Sequence, residues 1–184
     1  MERTMIFPKG RAGVFAVACS GAVAASAVVS ACGSGGESGS GGSIPAGWNA
    51  LDACATLGKT DAAAATGAQV RAATLSTVVE PKNGSAGFSM CTFELANGGK
   101  LMLLTREAPS DDATATAIEA ARTAGGSMPP ARDVPGLGRA ALWSEETKGL
   151  QLFLDGRRYA TINYFAPPGV DPEPVAIAVA RNLL

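Results

Sequence analysis

The chain has 184 residues, enough for one domain, and its charge is nearly balanced, with 15 basic and 16 acidic side chains. It contains no His, so the commonest general base and metal ligand at neutral pH is missing. Lys and Arg do not cluster along the sequence, and we therefore expect no nucleic-acid partner. Only 5% of the residues are aromatic, which predicts a core filled mainly by Ala, Val and Leu.

The first 31 residues have the composition of an export signal. Arg3, Lys9 and Arg11 precede an uncharged run rich in Ala, Val and Gly over residues 12–31, which is the order of a signal peptide. The run is close to the lower limit for spanning a bilayer, but its Ala and Gly content makes it a weak permanent membrane helix. We therefore predict that residues 1–31 are a lipoprotein signal peptide.

The end of this run predicts a lipid anchor. Val29, Ser30 and Ala31 precede Cys32, and an aliphatic residue with two small residues before a cysteine resembles the lipobox of bacterial lipoproteins. Lipidation of Cys32 with two or more acyl chains would hold the protein stably on a membrane. The predicted location is the extracytoplasmic face of the cell membrane, with the membrane itself as a partner. The alternatives are an ordinary signal peptide with an incidental Cys32, and lipidation at Cys19 after a shorter apolar region.

A flexible tether follows the lipidation site. Residues 33–43 contain only Gly, Ser and one Glu, so they bury no apolar surface and behave as a random coil. A coil of this length spans roughly 20 Å. The sequence thus predicts a lipidated Cys and tether over residues 32–43 and a single extracytoplasmic domain over residues 44–184.

Two cysteines remain for the domain, Cys54 and Cys91. Because an exported protein meets an oxidising environment, this even remainder predicts a disulfide between them. In the chain-entropy model a bridge that closes a loop of about 38 residues stabilises the fold by about 4 kcal/mol. The alternative is a pair of buried free thiols.

Hydrophobic periodicity and turn residues predict helices and strands in the domain. The predicted helices cover residues 49–57, 61–66, 110–124 and 171–184. Ser110 and Asp171 are the expected caps of the last two, with Pro172 at the first helical position. The predicted strands cover residues 69–80, 88–95, 100–106, 139–145, 150–154 and 159–165. A loop rich in Pro and Gly over residues 128–138 separates the two groups of strands.

This order, α-βββ-α-βββ-α, predicts the fold class. The strands follow one another in hairpins rather than alternating with helices, which indicates an α+β fold. We expect a mostly antiparallel sheet of about six strands with the helices packed on one face.

Two short motifs resemble phosphate-binding loops but lack the surroundings that such loops need. Residues 53–60 match a relaxed Walker A pattern, yet no buried strand precedes them and the expected disulfide residue Cys54 lies among them. Residues 136–141 match half of a dinucleotide-binding loop, but a Pro-rich loop precedes them and a strand follows. We interpret the first motif as a helix end followed by a cap, and the second as a turn that leads into the fourth strand.

The paired carboxylates do not predict acid–base catalysis. Asp111 and Asp112 open a predicted helix, where negative charge stabilises the helix dipole. Glu145 and Glu146 lie at a strand end and point to opposite faces. The sequence contains no recognisable nucleophile–base pair and no cluster of metal ligands. We therefore expect no catalytic residue, no cofactor and no metal.

Several short motifs together resemble those of a known family. Asp52, Ala53 and Cys54 begin a short helix, Cys91 lies in a strand, and residues 134–140 (Val-Pro-Gly-Leu-Gly-Arg-Ala) precede paired strands. In this the chain resembles the actinobacterial lipoproteins grouped as domain of unknown function 3558, over nearly the whole domain, with Ala53 where the family has proline. The family has no established activity, so the resemblance implies an envelope lipoprotein and assigns no catalytic residue.

These observations predict a membrane-anchored extracytoplasmic lipoprotein that is not an enzyme and serves as a binding or accessory domain of the cell envelope. The expected partners are an envelope protein, a cell-wall component or a small apolar ligand. The alternative from another class is a cell-envelope hydrolase with an unrecognised site.

Overall fold

The computed structural model describes residues 47–184, so the predicted signal peptide, the lipidation site Cys32 and the tether lie outside the described residues. The α-helices of the described part are Ala53–Thr66 (α1), Ala115–Thr123 (α2) and Pro172–Asn182 (α3). None of these helices is both long and apolar enough to cross a bilayer. The strands are Val70–Val79 (β1), Gly87–Leu95 (β2), Lys100–Glu107 (β3), Arg132–Asp133 (β4), Ala140–Ser144 (β5), Gly149–Phe153 (β6) and Arg158–Phe165 (β7).

The strands form one antiparallel sheet in the order β1-β2-β3-β7-β6-β5-β4. The central pair, β3 with β7, joins the two series of hairpins. The structure confirms an α+β fold with an antiparallel sheet. The predicted six strands are seven, because Arg132 and Asp133, inside the predicted loop over residues 128–138, pair with β5. The order of elements is therefore α-βββ-α-ββββ-α.

The inner face of the sheet carries the main core together with α1 and α3. Alternate residues of the central strands point to this face and are buried; they include Phe93, Leu101, Leu103, Leu152, Ile162 and Tyr164. The two helices contribute Leu57, Ala62, Ala176, Val179 and Ala180. The aliphatic core expected from the low aromatic content is thus present, with a few aromatic rings among small side chains.

α2 packs on the opposite, outer face of the sheet, so the prediction that the helices pack on one face is wrong. Leu142, Phe153 and Tyr159 alternate with the core residues and form a second cluster with Ile118 and Ala121 of α2. β5 is apolar on both faces, and a strand buried on both faces needs a covering element on each side.

The helix ends differ from the predicted ends. α1 merges the two predicted short helices, with a kink at Gly58, where φ is 72°. α2 begins after the cap Thr114 rather than after Ser110. The backbone N–H groups of residues 112 and 113 instead donate to the carbonyl oxygen of Gly156, which holds this segment against the β6–β7 turn. α3 begins as predicted, with Asp171 as its cap.

The predicted disulfide is present. It joins Cys54, in the first turn of α1, to Cys91 in β2, with Cα atoms 5.0 Å apart. Cys91 is fully buried. The side chain of Asp52 caps the same helix by accepting a hydrogen bond from the backbone N of Ala55. The bridge and the cap together fix the start of α1 against the inner face of the sheet.

Candidate functional site

A cavity of about 430 Å³ lies at one end of the sheet, where chain segments distant in sequence meet. Its walls come from residues 48–51 (here called the leading segment), the β1–β2 turn, the end of β3 and the β6–β7 turn. The lining includes the apolar Trp48, Leu51, Pro81 and Pro109 and the polar Glu107 and Arg157. Small-molecule sites occupy roughly 300–1,000 Å³ and combine apolar walls with a few polar groups. This Trp48 cavity has both properties.

Buried hydrogen bonds hold the leading segment on the sheet. The hydroxyl of Thr105 donates to the carbonyl oxygen of Ala50 at 3.2 Å, and the hydroxyl of Ser89 accepts from the backbone N of Ala53 at 2.9 Å. Ser89 and Thr105 are fully buried on the inner face. Because a buried polar group costs free energy unless it is paired, these bonds fix the leading segment and the cavity wall that it forms.

A glycine allows the leading segment to pack against the β1–β2 turn. A Cβ atom at Gly87 would lie 3.0 Å from Cδ of Pro81 and 3.1 Å from Cδ2 of Leu51. Both distances are shorter than an ordinary van der Waals contact. A larger residue at position 87 would therefore push apart two residues that line the cavity.

Trp48 lies against a buried arginine. Cζ of Arg158 is 5.7 Å from the centroid of the Trp48 ring, and the Arg158 side chain is only 6% exposed. Nε of Arg158 donates to Oδ2 of Asp155 at 2.7 Å. Burial opposes ionisation of Asp155, but hydrogen bonds from the backbone N–H groups of Arg157 and Arg158 and from the Arg158 guanidinium keep its pKa below the usual range. Asp155 and Arg158 therefore form an ion pair at neutral pH.

Two buried donors in this region have no acceptor among the described residues. They are Nε1 of the Trp48 indole and Nη1 of Arg158. A buried donor left unpaired costs about 1–3 kcal/mol. An acceptor oxygen from outside the described residues would remove this cost. An amphipathic molecule in the Trp48 cavity could supply such an oxygen to Nε1 of Trp48 while its apolar part contacts the cavity wall.

A second cavity, of about 290 Å³, lies between α2 and the outer face of the sheet. Phe153 and Tyr159 line it with an edge-to-face contact and ring centroids 5.0 Å apart. The Tyr159 hydroxyl donates to Oε1 of Gln151 at 3.1 Å and accepts from the hydroxyl of Thr161 at 3.0 Å. Burial raises the pKa of Tyr159, against the opposing effect of the Thr161 hydrogen bond. Tyr159 is therefore neutral and already paired.

The remaining charged groups of this α2 cleft are also paired or shared with the Trp48 region. Arg106 donates to a carboxylate oxygen of Asp112 across the cleft. Arg158 lines the cleft as well, so this residue stands between the cleft and Trp48. Of the two unpaired donors, only Nε1 of Trp48 belongs to a residue that lines the Trp48 cavity, whereas Nη1 of Arg158 belongs to a residue that lines the α2 cleft.

Comparisons with protein-family models, with curated proteins and with solved structures find no match. The function of the chain must therefore be inferred from its own geometry.

The carboxylates considered for catalysis form surface ion pairs away from the Trp48 cavity. Asp111 lies 2.9 Å from Arg139, and Glu145 lies 2.9 Å from Lys148. Hydrogen bonds from Lys148 and from the Trp143 indole lower the pKa of Glu145. Within residues 47–184, no group of three or more His, Cys, Asp or Glu residues could hold a metal ion.

The two motifs that resemble phosphate-binding loops lack the surroundings of such a site, as expected. Residues 53–60 do not form the predicted helix end followed by a cap but lie within α1 across its kink at Gly58, and Cys54 among them forms the disulfide. Gly136 and Gly138 both have positive φ in a turn that leads into β5. Neither motif has the strand, loop and helix arrangement of a phosphate site.

Reasoning from the sequence missed Trp48 and Arg158. A signal for Arg158 was present in β7, where its position alternates with the inner-face residues Ala160, Ile162 and Tyr164. A charged residue at a position with that period must find a buried partner or lie at the end of the sheet. Its contacts with Trp48 and Asp155 depend on how distant segments pack, which the strand pattern does not contain.

Proposed function

We propose that this protein is a lipid-anchored, non-catalytic binding domain on the extracytoplasmic face of the cell membrane. Its Trp48 cavity receives a small, mainly apolar ligand that carries one hydrogen-bond acceptor, such as a carboxylate. The observation that carries this proposal is the apolar cavity lined by Trp48, whose buried indole Nε1 lacks an acceptor among the described residues.

The lipobox-like residues before Cys32 and the Gly/Ser-rich tether support the membrane location. The predicted tether over residues 33–43 spans roughly 20 Å as a random coil, and Trp48 lies shortly after it in the sequence. The anchor would thus keep the cavity close to the membrane surface, where amphipathic molecules are concentrated. The resemblance to the lipoproteins of domain of unknown function 3558 supports the same location and suggests no catalytic role.

The cavity wall offers a hydrogen-bond donor and apolar side chains, and each would contact a different part of the ligand. A ligand carboxylate would accept a charge-assisted hydrogen bond from Nε1 of Trp48, which is the donor that belongs to the cavity wall. The apolar part of the ligand would contact Trp48, Leu51 and the two prolines. Each buried CH₂ contributes about 0.8 kcal/mol, or roughly a fourfold gain in affinity, until the cavity is filled.

Calorimetry on the mature chain carrying Cys32→Ala, produced in an oxidising compartment, tests the proposal. The probes are decanoate, octanoate and decyltrimethylammonium, all below their micelle-forming concentrations. We expect saturable binding of decanoate and binding of octanoate that is weaker by roughly 15-fold, because two CH₂ groups are missing. Decyltrimethylammonium has an alkyl chain of similar length but no acceptor, so it should bind more weakly than decanoate. Equal binding of these two probes would contradict the assigned role of the Trp48 donor, and no saturable binding of decanoate would contradict the site.

Trp48→Phe is the variant that separates the donor from the ring. It keeps an aromatic wall and removes Nε1, so decanoate binding should weaken. Tyr164→Phe is the matched control, because Tyr164 has another buried hydroxyl without a partner among the described residues and does not line the cavity. Equal weakening in both variants would indicate an effect of the fold rather than of the site.

A further inference from the structure

β1 forms one edge of the sheet, and within the described part of the chain it pairs only with β2. An edge strand presents unpaired backbone N–H and C=O groups to any other strand that approaches. Proteins usually block such an edge with charges or Pro. β1 is 10 residues long, and residues 72–79 contain no charge and no Pro.

Exposed apolar side chains are concentrated on this edge strand. Leu75, Val78 and Val79 are 39%, 47% and 38% exposed, and they make up three of the seven exposed large apolar residues between positions 47 and 184. These three lie within five consecutive positions of one edge. Leu75 pairs with the inner-face residue Cys91 and Val79 pairs with the outer-face residue Phe88, so apolar side chains are exposed on both sides of the edge.

The sheet face beside this edge is apolar and only partly buried. Val79 pairs with Phe88, and Met90 pairs with Leu104, all on the outer face. Phe88, Met90 and Leu104 retain partial exposure, because α2 packs over the other half of the sheet. A strand added at β1 would extend this face and cover part of it.

Opposite charges flank the uncharged stretch, and they indicate which partner strand pairs with β1 and in which direction. Arg71 precedes it and Glu80 follows it. In an antiparallel pair of β1 strands related by a two-fold axis, Arg71 of one protomer approaches the partner's Glu80, and this contact occurs twice. A parallel pair would place like charges side by side. We infer that the β1 edge docks a second copy of this chain in the antiparallel direction.

The shape of the strand limits the length of the pairing. A bulge interrupts β1 between Ser76 and Val79, and Thr77 there has φ 51°, which is strained for a β-branched residue. The register also shifts between Val70 and Ala72, so the regular stretch of β1 is residues 72–76. A pairing that brings Arg71 opposite Glu80 is centred between residues 75 and 76, so only part of this stretch forms a regular ladder. A contact this short is small beside stable interfaces of about 1,200–2,000 Å², so the dimer is reversible. The dimer is closed, because each copy uses its only β1 edge, and it depends on no part of the proposed ligand site.

Cysteine cross-linking on membranes from cells that make the full chain tests this contact. Thr74→Cys, Leu75→Cys and Ser76→Cys, made one at a time, lie closest to the two-fold axis. At least one of them should form a disulfide-linked dimer when an oxidant is added, since residues directly opposite have Cβ atoms about 4.5–5.5 Å apart. The matched control is Arg132→Cys on β4, at the other edge of the sheet, which should stay monomeric. No dimer at any of the three positions, or equal dimer in the control, would overturn the inference.

Charge reversal tests the antiparallel direction. Arg71→Glu or Glu80→Arg, made in the variant that cross-links best, creates two like-charge contacts for each dimer. Each change should slow cross-linking roughly tenfold at low salt, since two exposed pairs change from attraction to repulsion. The double variant Arg71→Glu/Glu80→Arg restores opposite charges and should recover the original rate. A double variant as slow as the single variants would refute the antiparallel arrangement.

Discussion

Loss of the disulfide between Cys54 and Cys91 should lower the free energy of unfolding substantially. The bridge joins positions 37 residues apart and ties α1 to β2. Closing a loop of that size removes about 13 cal/mol/K of entropy from the unfolded chain, which is about 4 kcal/mol at 25 °C. Domains of this kind are stable by roughly 5–15 kcal/mol, so the bridge supplies a large share of the total.

Two samples separate the stability that is lost with the disulfide bond from the stability that is lost with the packing of the buried sulfur. The reduced wild-type chain keeps both sulfur atoms and loses only the bond. The variant Cys54→Ala/Cys91→Ala also removes a sulfur from the fully buried Cys91, which costs about 1 kcal/mol more.

Urea unfolding followed by circular dichroism measures both losses. We expect about 4 kcal/mol for the reduced chain and about 5 kcal/mol for the double variant. A loss below about 1 kcal/mol in the reduced chain would refute the reasoning, because loop closure alone requires more.

Three further predictions concern single groups. Tyr164→Phe should leave the urea midpoint unchanged or raise it, because it removes a buried hydroxyl without a partner among the described residues; a clear loss would show that the hydroxyl has a partner. Gly138→Ala should cost roughly 1–3 kcal/mol, since φ is 53° and the new Cβ would lie 2.5 Å from the carbonyl oxygen of Phe153; a thermal midpoint equal to that of the wild type would contradict this. Asp155 has a lower pKa in the folded than in the unfolded chain, so its contribution is present above about pH 4 and is lost as the pH falls through the folded pKa. Asp155→Asn should therefore lower stability at neutral pH and flatten the decline in acid; an unchanged acid profile would contradict that assignment.

The strands could be predicted from the sequence because their period is local. Residues 100–106 were expected as a strand, and the structure has Lys100–Glu107. β4 could not be predicted, since two residues carry no alternating pattern and pair only because β5 lies beside them. α2 begins later than the sequence predicts, because Ser110 and Thr114 are both good caps. The carbonyl of Gly156, distant in sequence, holds the segment between them out of the helix.

The disulfide could also be predicted, because the expected export and the even number of remaining cysteines point to it without knowledge of the packing. The candidate site could not. Trp48 and Arg158 are 110 positions apart, and their contact exists because the leading segment is held on the inner face by Ser89 and Thr105. The sheet face on which α2 packs could not be predicted from the sequence either. It depends on β5 being apolar on both faces and on the path of the connection from β3 to α2.

Native mass spectrometry of the full chain, gently extracted from membranes of the cells that make it, tests whether the Trp48 cavity binds a ligand. We expect a bound small amphipathic molecule with an acceptor group in the wild type and in Tyr164→Phe, and a smaller bound fraction in Trp48→Phe. Equal ligand occupancy in all three chains, or chains without any bound molecule, would contradict the assignment of the Trp48 cavity.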